Sequence, residues 1–448
     1  MNKYPEENGY KNRKKVSEKA LTYTNHPIVD RMIKKTLLII FFLGLTLIDT
    51  QAQVPGFFMK EDKRRVILPF YASNSLIIVP VSINGAYPVN FLIDTGVRSN
   101  ILFSKDLGDA MGLEYTRRLN LMGADGSEEI MASVSPVNHI DLGPIEGLAQ
   151  SLLVLEEDFL ELESVVGIPI YGIIGYEFFK FNPVKINYDD ERIEFFRTDA
   201  MKWRPPLYKK MPLEIDQNKP YIRAKIKQKN GKVLESKLLI DTGANHGLLL
   251  NRETSEKIDL PEDNLEAELG QSLGGLLYGY IGRVDWLKIQ SLKQKEVLTS
   301  YPDETAFSYI IKESGRMGSL GSEVLGRTRL ILDYPRKRAM MKKGDSFYAP
   351  YEYDMSGLNV KKIPTDDKRF YIGQVREGSP ADEAGVEALD EILSINKIPT
   401  LIWELSDVIK LFRSKEGKVI EIEVRRYFDE ELTRYEDFTY KIRLEKQI

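Results

Sequence analysis

Two stretches of the chain share one hydrophobic signature. Apolar runs flank Asn84-Gly85 within residues 75–93 and flank Asn230-Gly231 within residues 221–240. Runs of this kind joined by Asn-Gly predict β-hairpins. Each hairpin ends in an apolar triplet and then the same three residues. Phe91-Leu92-Ile93-Asp94-Thr95-Gly96-Val97 returns as Leu238-Leu239-Ile240-Asp241-Thr242-Gly243-Ala244, 147 positions later. A second apolar run follows each loop, at Ile101-Leu102-Phe103 and at Leu248-Leu249-Leu250. Further on, Gly172-Ile173-Ile174-Gly175-Tyr176-Glu177 returns as Gly318-Ser319-Leu320-Gly321-Ser322-Glu323, and Val184-Lys185-Ile186-Asn187-Tyr188-Asp189 as Leu330-Ile331-Leu332-Asp333-Tyr334-Pro335, both at 146. Three landmarks whose spacing holds within a single residue mark an internal duplication. Closing strands are expected over 186–196 and 330–341, short helices after Gly175 and Gly321, and a linker around Pro205-Pro206.

Beyond residue 355 the pattern changes. Strands are predicted at 357–360, 370–375, 390–396 and 419–425, with a turn and short helix over 378–386 and a helix over 403–412. These elements describe a compact α+β unit of about ninety residues. At the other end, Arg31, Lys34 and Lys35 precede an apolar run over 37–48 and then Asp49-Thr50-Gln51-Ala52-Gln53. A run this short, after a basic stretch and before small residues, reads as a secretory signal over about 32–52, cleaved after Ala52. Met32 then becomes a candidate start. The alternative is an uncleaved membrane anchor, the sole membrane contact expected. An exported, periplasmic or extracellular protein follows from the first reading.

Composition narrows the chemistry. The 448 residues allow about three domains. A net charge of −4 gives no reason to expect nucleic acid. With no cysteine, disulfides, thiolate metal sites and cysteine nucleophiles are excluded. His26, His139 and His246 are too scattered for a zinc site, so neither metal nor cofactor is expected. The remaining candidates are Asp94 and Asp241. A carboxylate at the end of a buried strand is costly unless something uses it. Gly96 and Gly243 let another backbone come close, and the Thr95 and Thr242 hydroxyls can bond across to the neighbouring loop. If the copies pack about a two-fold axis, the two carboxyls meet and share one proton. One then activates a water while the other polarises a carbonyl. Which of them holds the proton is left open, because the pair titrates as a unit.

The duplicated segment, residues 66–343, resembles the retropepsin-like and pepsin-like aspartic proteases, in particular bacterial proteins with two retropepsin-type units followed by a PDZ-like domain. The resemblance implies a mostly β fold. Two retropepsin-like β-barrel lobes (66–200 and 208–345) form a pepsin-like bilobal unit, after the N-terminal extension and signal peptide (1–52) and before an α+β PDZ domain (354–448). It further implies an aspartic endopeptidase with a polypeptide substrate, and glycine-bearing flaps at Gly123, Asp125 and Gly126 and at Gly274 and Gly275. Ile173-Ile174-Gly175 matches the element that supports each Asp loop, and Ser319-Leu320-Gly321 matches it in part. In the PDZ-like unit, Gly357, Leu358, Asn359 and Val360 stand where backbone N–H groups receive a peptide C-terminus. That unit could instead serve only for packing.

Several residues depart from the family pattern: Val97 and Arg98 after the first loop, Asn245-His246-Gly247 after the second, and Ala388-Leu389 where the PDZ pattern has glycine. His246 is expected to be exposed. The first departures leave a second reading, an inactive pseudo-protease that binds peptides or acts as a scaffold. Gly270-Gln271-Ser272-Leu273-Gly274 matches the serine-nucleophile pattern, but no histidine follows it, and a glycine-rich hairpin is expected instead. A monomer is expected, since tandem copies pair within one chain at high effective concentration. The alternative is pairing between molecules.

Overall fold

The computed structural model describes residues 32, 54–122, 129–158, 160–272, 275–305, 308–364, 368–429 and 431–448. The signal-peptide expectation, apart from Met32, lies outside them, as do Gly123, Asp125, Gly126 and Gly274. Among the described residues no helix is long and apolar enough to cross a membrane.

The fold is mostly β: two lobes, each built on its own large sheet, one sheet shared between them, and a small α+β domain at the C-terminus. In the first lobe the strands Leu76–Ile83 and Val89–Ile93 form the predicted hairpin. Asn84 and Gly85 both adopt positive φ, at 50° and 80°, as a two-residue turn with the strand twist requires. The second lobe pairs Lys219–Lys227 with Val233–Ile240. There only Gly231 is left-handed and the turn is one residue longer, closed by Gly231 N–H to the Gln228 carbonyl at 3.0 Å. Both hairpins carry their apolar side chains into a continuous core.

The lobes join through a six-stranded antiparallel sheet with three strands from each. Its central pair is Val184–Asn187 against Thr328–Asp333, with Val184 opposite Leu332, Lys185 opposite Ile331 and Ile186 opposite Leu330. Ile331 is the repeat equivalent of Lys185, and Leu332 that of Ile186. Exchanging the two lobes therefore maps this register onto itself, and the pseudo-two-fold axis passes through the Lys185–Ile331 pair.

The third domain has its own core, including Phe370, Ile372, Ile392, Val408, Phe412, Ile422 and Ile442. Its helix spans Leu405–Phe412, two residues shorter at the start than the pattern predicts, because residues 400–402 form a 3-10 turn first. The last strand, Tyr435–Arg443, is not among the predicted elements. It is an edge strand in which Phe438, Tyr440 and Ile442 turn toward the domain's core and the other side chains are exposed. Leu389 takes φ 70°, the left-handed conformation that favours the glycine it replaces.

Candidate active site

Each Asp-Thr-Gly loop leaves the end of a buried strand that is pinned by a parallel neighbour. Val89–Ile93 runs beside Gly172–Ile174, and Val233–Ile240 runs beside Gly318–Leu320. The contact continues into the loops. Asp94 N–H donates to the Ile174 carbonyl and Asp241 N–H to the Leu320 carbonyl, both at 2.9 Å. Gly175 and Gly321 then pass so close to the loops that a side chain would collide. A Cβ at Gly175 would lie 2.9 Å from the Val97 carbonyl, and one at Gly321 would lie 2.1 Å from the His246 carbonyl.

The threonines fasten the two loops to each other. Thr95 N–H donates to Thr242 Oγ1 and Thr242 N–H to Thr95 Oγ1, each at 3.1 Å. Each hydroxyl in turn donates to the carbonyl before the opposite aspartate: Thr95 to Ile240 at 2.6 Å, and Thr242 to Ile93 at 2.9 Å. Both threonines are buried, so these four bonds are shielded from water.

The aspartates face each other across this grip. A Cβ at Gly243 would stand 2.2 Å from Asp94 Cγ, and one at Gly96 would stand 2.8 Å from Asp241 Oδ1. Glycine is required at both positions because each carboxyl rests against the backbone of the opposite loop. Asp94 is 8% exposed and Asp241 half-buried. Burial first, and then the neighbouring Asp241 charge, push the Asp94 carboxyl up to about 8; the Gly96 N–H and the Lys219 charge oppose the rise. Among the described residues no cluster of His, Asp and Glu could hold a metal.

Residues 79–178 and 222–324 match the aspartyl protease family model, and residues 371–426 match the PDZ domain model. The two lobes are aspartyl-protease units, and the third domain is a PDZ domain. Among solved structures, the aspartic proteinase from Irpex lacteus shares 10% identity at a TM-score of 0.40, covering 64% of this chain and 99% of its own. No curated protein matches the chain.

In the aspartyl-protease lobes, the departures from the family pattern have structural partners. Arg98 is exposed, and its guanidinium reaches across to the Gln217 side chain of the second lobe. His246, expected at the surface, is half-buried with Nε2 3.0 Å from Ser319 Oγ, and burial lowers its pKa against the pull of Asp241. Of the serine pattern, Gly270, Gln271 and Ser272 lie on the strand Asn264–Ser272, antiparallel to Gly275–Ile289, with Ser272 opposite Gly275. Gly275, expected in the second flap, opens the strand Gly275–Ile289.

Two groups near the paired aspartates escaped the reading of the chain. Tyr188 and Tyr334 occupy equivalent places after the central strands, Tyr188 in the field of Asp241 and Tyr334 in that of Asp94, and burial pushes both phenols up. Their signal was already present, since both lie in the third repeated landmark. Lys219 is the other, and it has no cation at its counterpart, Leu76.

The PDZ domain's loop differs from expectation. Asp354, just upstream, turns its own carboxylate into the backbone donors: Oδ1 accepts from Ser356 N–H at 3.1 Å and Gly357 N–H at 2.5 Å, and Oδ2 accepts from the Ser356 hydroxyl at 2.9 Å. Leu358 N–H donates to Ser356 Oγ at 3.1 Å. The Gly357 and Leu358 N–H groups expected to be available to a peptide are thus engaged within the chain. Asn359 and Val360 lie on the strand Leu358–Lys362, at the edge of the PDZ sheet. That strand is also tied to the protease lobes, by Lys361–Glu268 at 3.1 Å and by an ion pair between Lys362 and Glu163.

Proposed function

We propose that this protein is an aspartic endopeptidase that hydrolyses polypeptides through Asp94 and Asp241. The observation that carries the reading is the pair of carboxyls, each seated against the glycine of the opposite loop under reciprocal threonine bonds. Near neutral pH a pair so placed keeps one shared proton. The ionised member takes a proton from a bound water as the water oxygen attacks the scissile carbonyl carbon. The protonated member gives its proton to the carbonyl oxygen. In the resulting gem-diol the C–N bond breaks, the first aspartate returns its proton to the leaving nitrogen, and a diol hydroxyl proton restores the second. Gly96 and Gly243 keep the carboxyls in reach, and the flap hairpins would cover an extended substrate. Residues 32–52 serve as the export signal in this reading, and one chain supplies the whole site.

Cleavage of a denatured protein or peptide library, from acidic to mildly alkaline pH, tests the proposal. Asp94→Asn and Asp241→Asn should each reduce the rate by at least about 10²–10⁴-fold, and a statine-type inhibitor should block the parent. The engaged PDZ loop and the Arg98 bridge favour a second reading, a scaffold without turnover. Absence of cleavage at every pH would support that one, whereas equal cleavage by the Asn variants would overturn the roles given to Asp94 and Asp241.

A further inference from the structure

The two lobes differ at one cross-strand position beside the aspartates. In the first lobe the hairpin pairing ends at Ile78 with Leu92, and continuing that register by one pair on the same face would set Leu76 against Asp94. In the second lobe Tyr221 pairs with Leu239, and the same step would set Lys219 against Asp241. Both are the first residue of their strand, entered from a tight turn with two left-handed residues, Asn74-Ser75 and Gln217-Asn218. By register, a leucine thus heads the strand beside Asp94 and a lysine heads the strand beside Asp241, and of the two aspartates Asp241 acts on that lysine the more strongly. Leu76 is 5% exposed and belongs to an apolar cluster with Ile78, Leu92 and Phe103.

The surroundings of Lys219 strengthen the contrast. Arg98 and Arg316 act on it as like charges, while Asp241 and Asp94 favour its charged form; burial, the largest influence, pulls its pKa down. Asp94 is also approached by Tyr334, and Asp241 by Tyr188 and His246. Lys219 is felt by both aspartates, but its strand register aligns it with Asp241, whose influence on it is the larger. An opposite charge within a few ångströms favours the ionised form of a carboxyl, whereas an apolar neighbour favours the neutral form.

We propose that Lys219 is a positioning residue that divides the work of the dyad, keeping the negative charge on Asp241 and leaving the shared proton on Asp94. This rests on the peptidase reading and adds the roles that symmetry alone leaves undecided. Asp241 is then the base that receives the water proton, and Asp94 is the acid that protonates the carbonyl oxygen. Removing the ammonium makes both ionisations of the pair harder, so the acid and alkaline limits of the active range both move to higher pH.

The test uses the full chain and reads proton location without requiring turnover. Carboxyl ¹³C shifts of aspartate-labelled protein are followed against pH and assigned by difference with Asp94→Asn and Asp241→Asn. In the parent, Asp94 should titrate last. Lys219→Met should move both steps upward by about one pH unit or more, Lys219→Arg should restore them, and Leu76→Lys, which places the charge opposite Asp94, should move them downward. The pH profile of cleavage should follow the same order. Unmoved midpoints in Lys219→Met, or a last proton on Asp241, would overturn the proposal. Should Lys219→Met not fold, Leu76→Lys decides alone. Shifted midpoints without cleavage by any form would leave the assignment standing and defeat the peptidase reading instead.

Discussion

Side by side, the two protease lobes agree closely along their shared axis and diverge a few ångströms away from it. The threonine bonds, the paired strands beneath each loop and the register of the central sheet are the same under exchange of lobes. The supports behind them are not. In the first lobe Gly175 N–H donates to the Asn100 side chain at 3.0 Å. In the second, Gly321 N–H donates to the backbone carbonyl of Gly247, the residue equivalent to Asn100, at 2.9 Å. Contacts that each copy makes with the other must suit both at once, so neither can change alone. Contacts made within one copy carry no such constraint, and there a side chain in one lobe does what backbone does in the other.

The comparison can be broken at its symmetric centre first. Thr95→Ala and Thr242→Ala each leave a buried N–H and a buried carbonyl of the opposite loop without a partner, at a cost of about 2–4 kcal/mol. The two losses should be nearly equal in denaturant titrations, and the double variant should cost less than their sum because both remove one network. Unequal losses would mean the grip is symmetric in geometry but not in energy.

Asn100→Ala should cost about 1–3 kcal/mol, since it orphans Gly175 N–H and also the Gln150 side chain bonded to Asn100 at 3.0 Å. The second lobe offers no matching deletion, because its equivalent bond is made by backbone.

Thermal unfolding of Asp94→Asn sharpens the contrast between the aspartates. A carboxyl held above its ordinary value in the folded state contributes stability below the unfolded value, near 3.8, that is lost as pH rises toward about 8. The variant cannot ionise there, so it should gain more in Tm over the parent at pH 9 than at pH 4. An equal difference at both pH values would remove the case for a buried, proton-bearing Asp94.

Much of this was legible in the chain because duplication writes the same local pattern twice. The apolar triplets before Asp94 and Asp241, and the glycines at 175 and 321, announce the loops and their supports. Lys219 was not legible in the same way. Its place opposite Asp241 depends on strand register, and it sits 22 residues away behind an Asn-Gly turn. Asp354 was missed for a related reason. An acidic residue before a glycine-containing loop reads as ordinary turn chemistry, and only the folded backbone shows its carboxylate turned into the loop's own donors. Tyr435–Arg443 was missed although Phe438, Tyr440 and Ile442 alternate toward the PDZ core, because that alternation is short and follows a run of charged residues.

The central pairing of Val184–Asn187 with Thr328–Asp333 has a bearing on any isolated half of the molecule. Because the join reads the same from either side, a severed first lobe would expose an edge already shaped to receive a second copy of itself, with Lys185 meeting its own image. Fusion in one polypeptide replaces that self-recognition with a lasting, unequal partner. Only after such a replacement could a lysine settle beside one aspartate and a leucine beside the other.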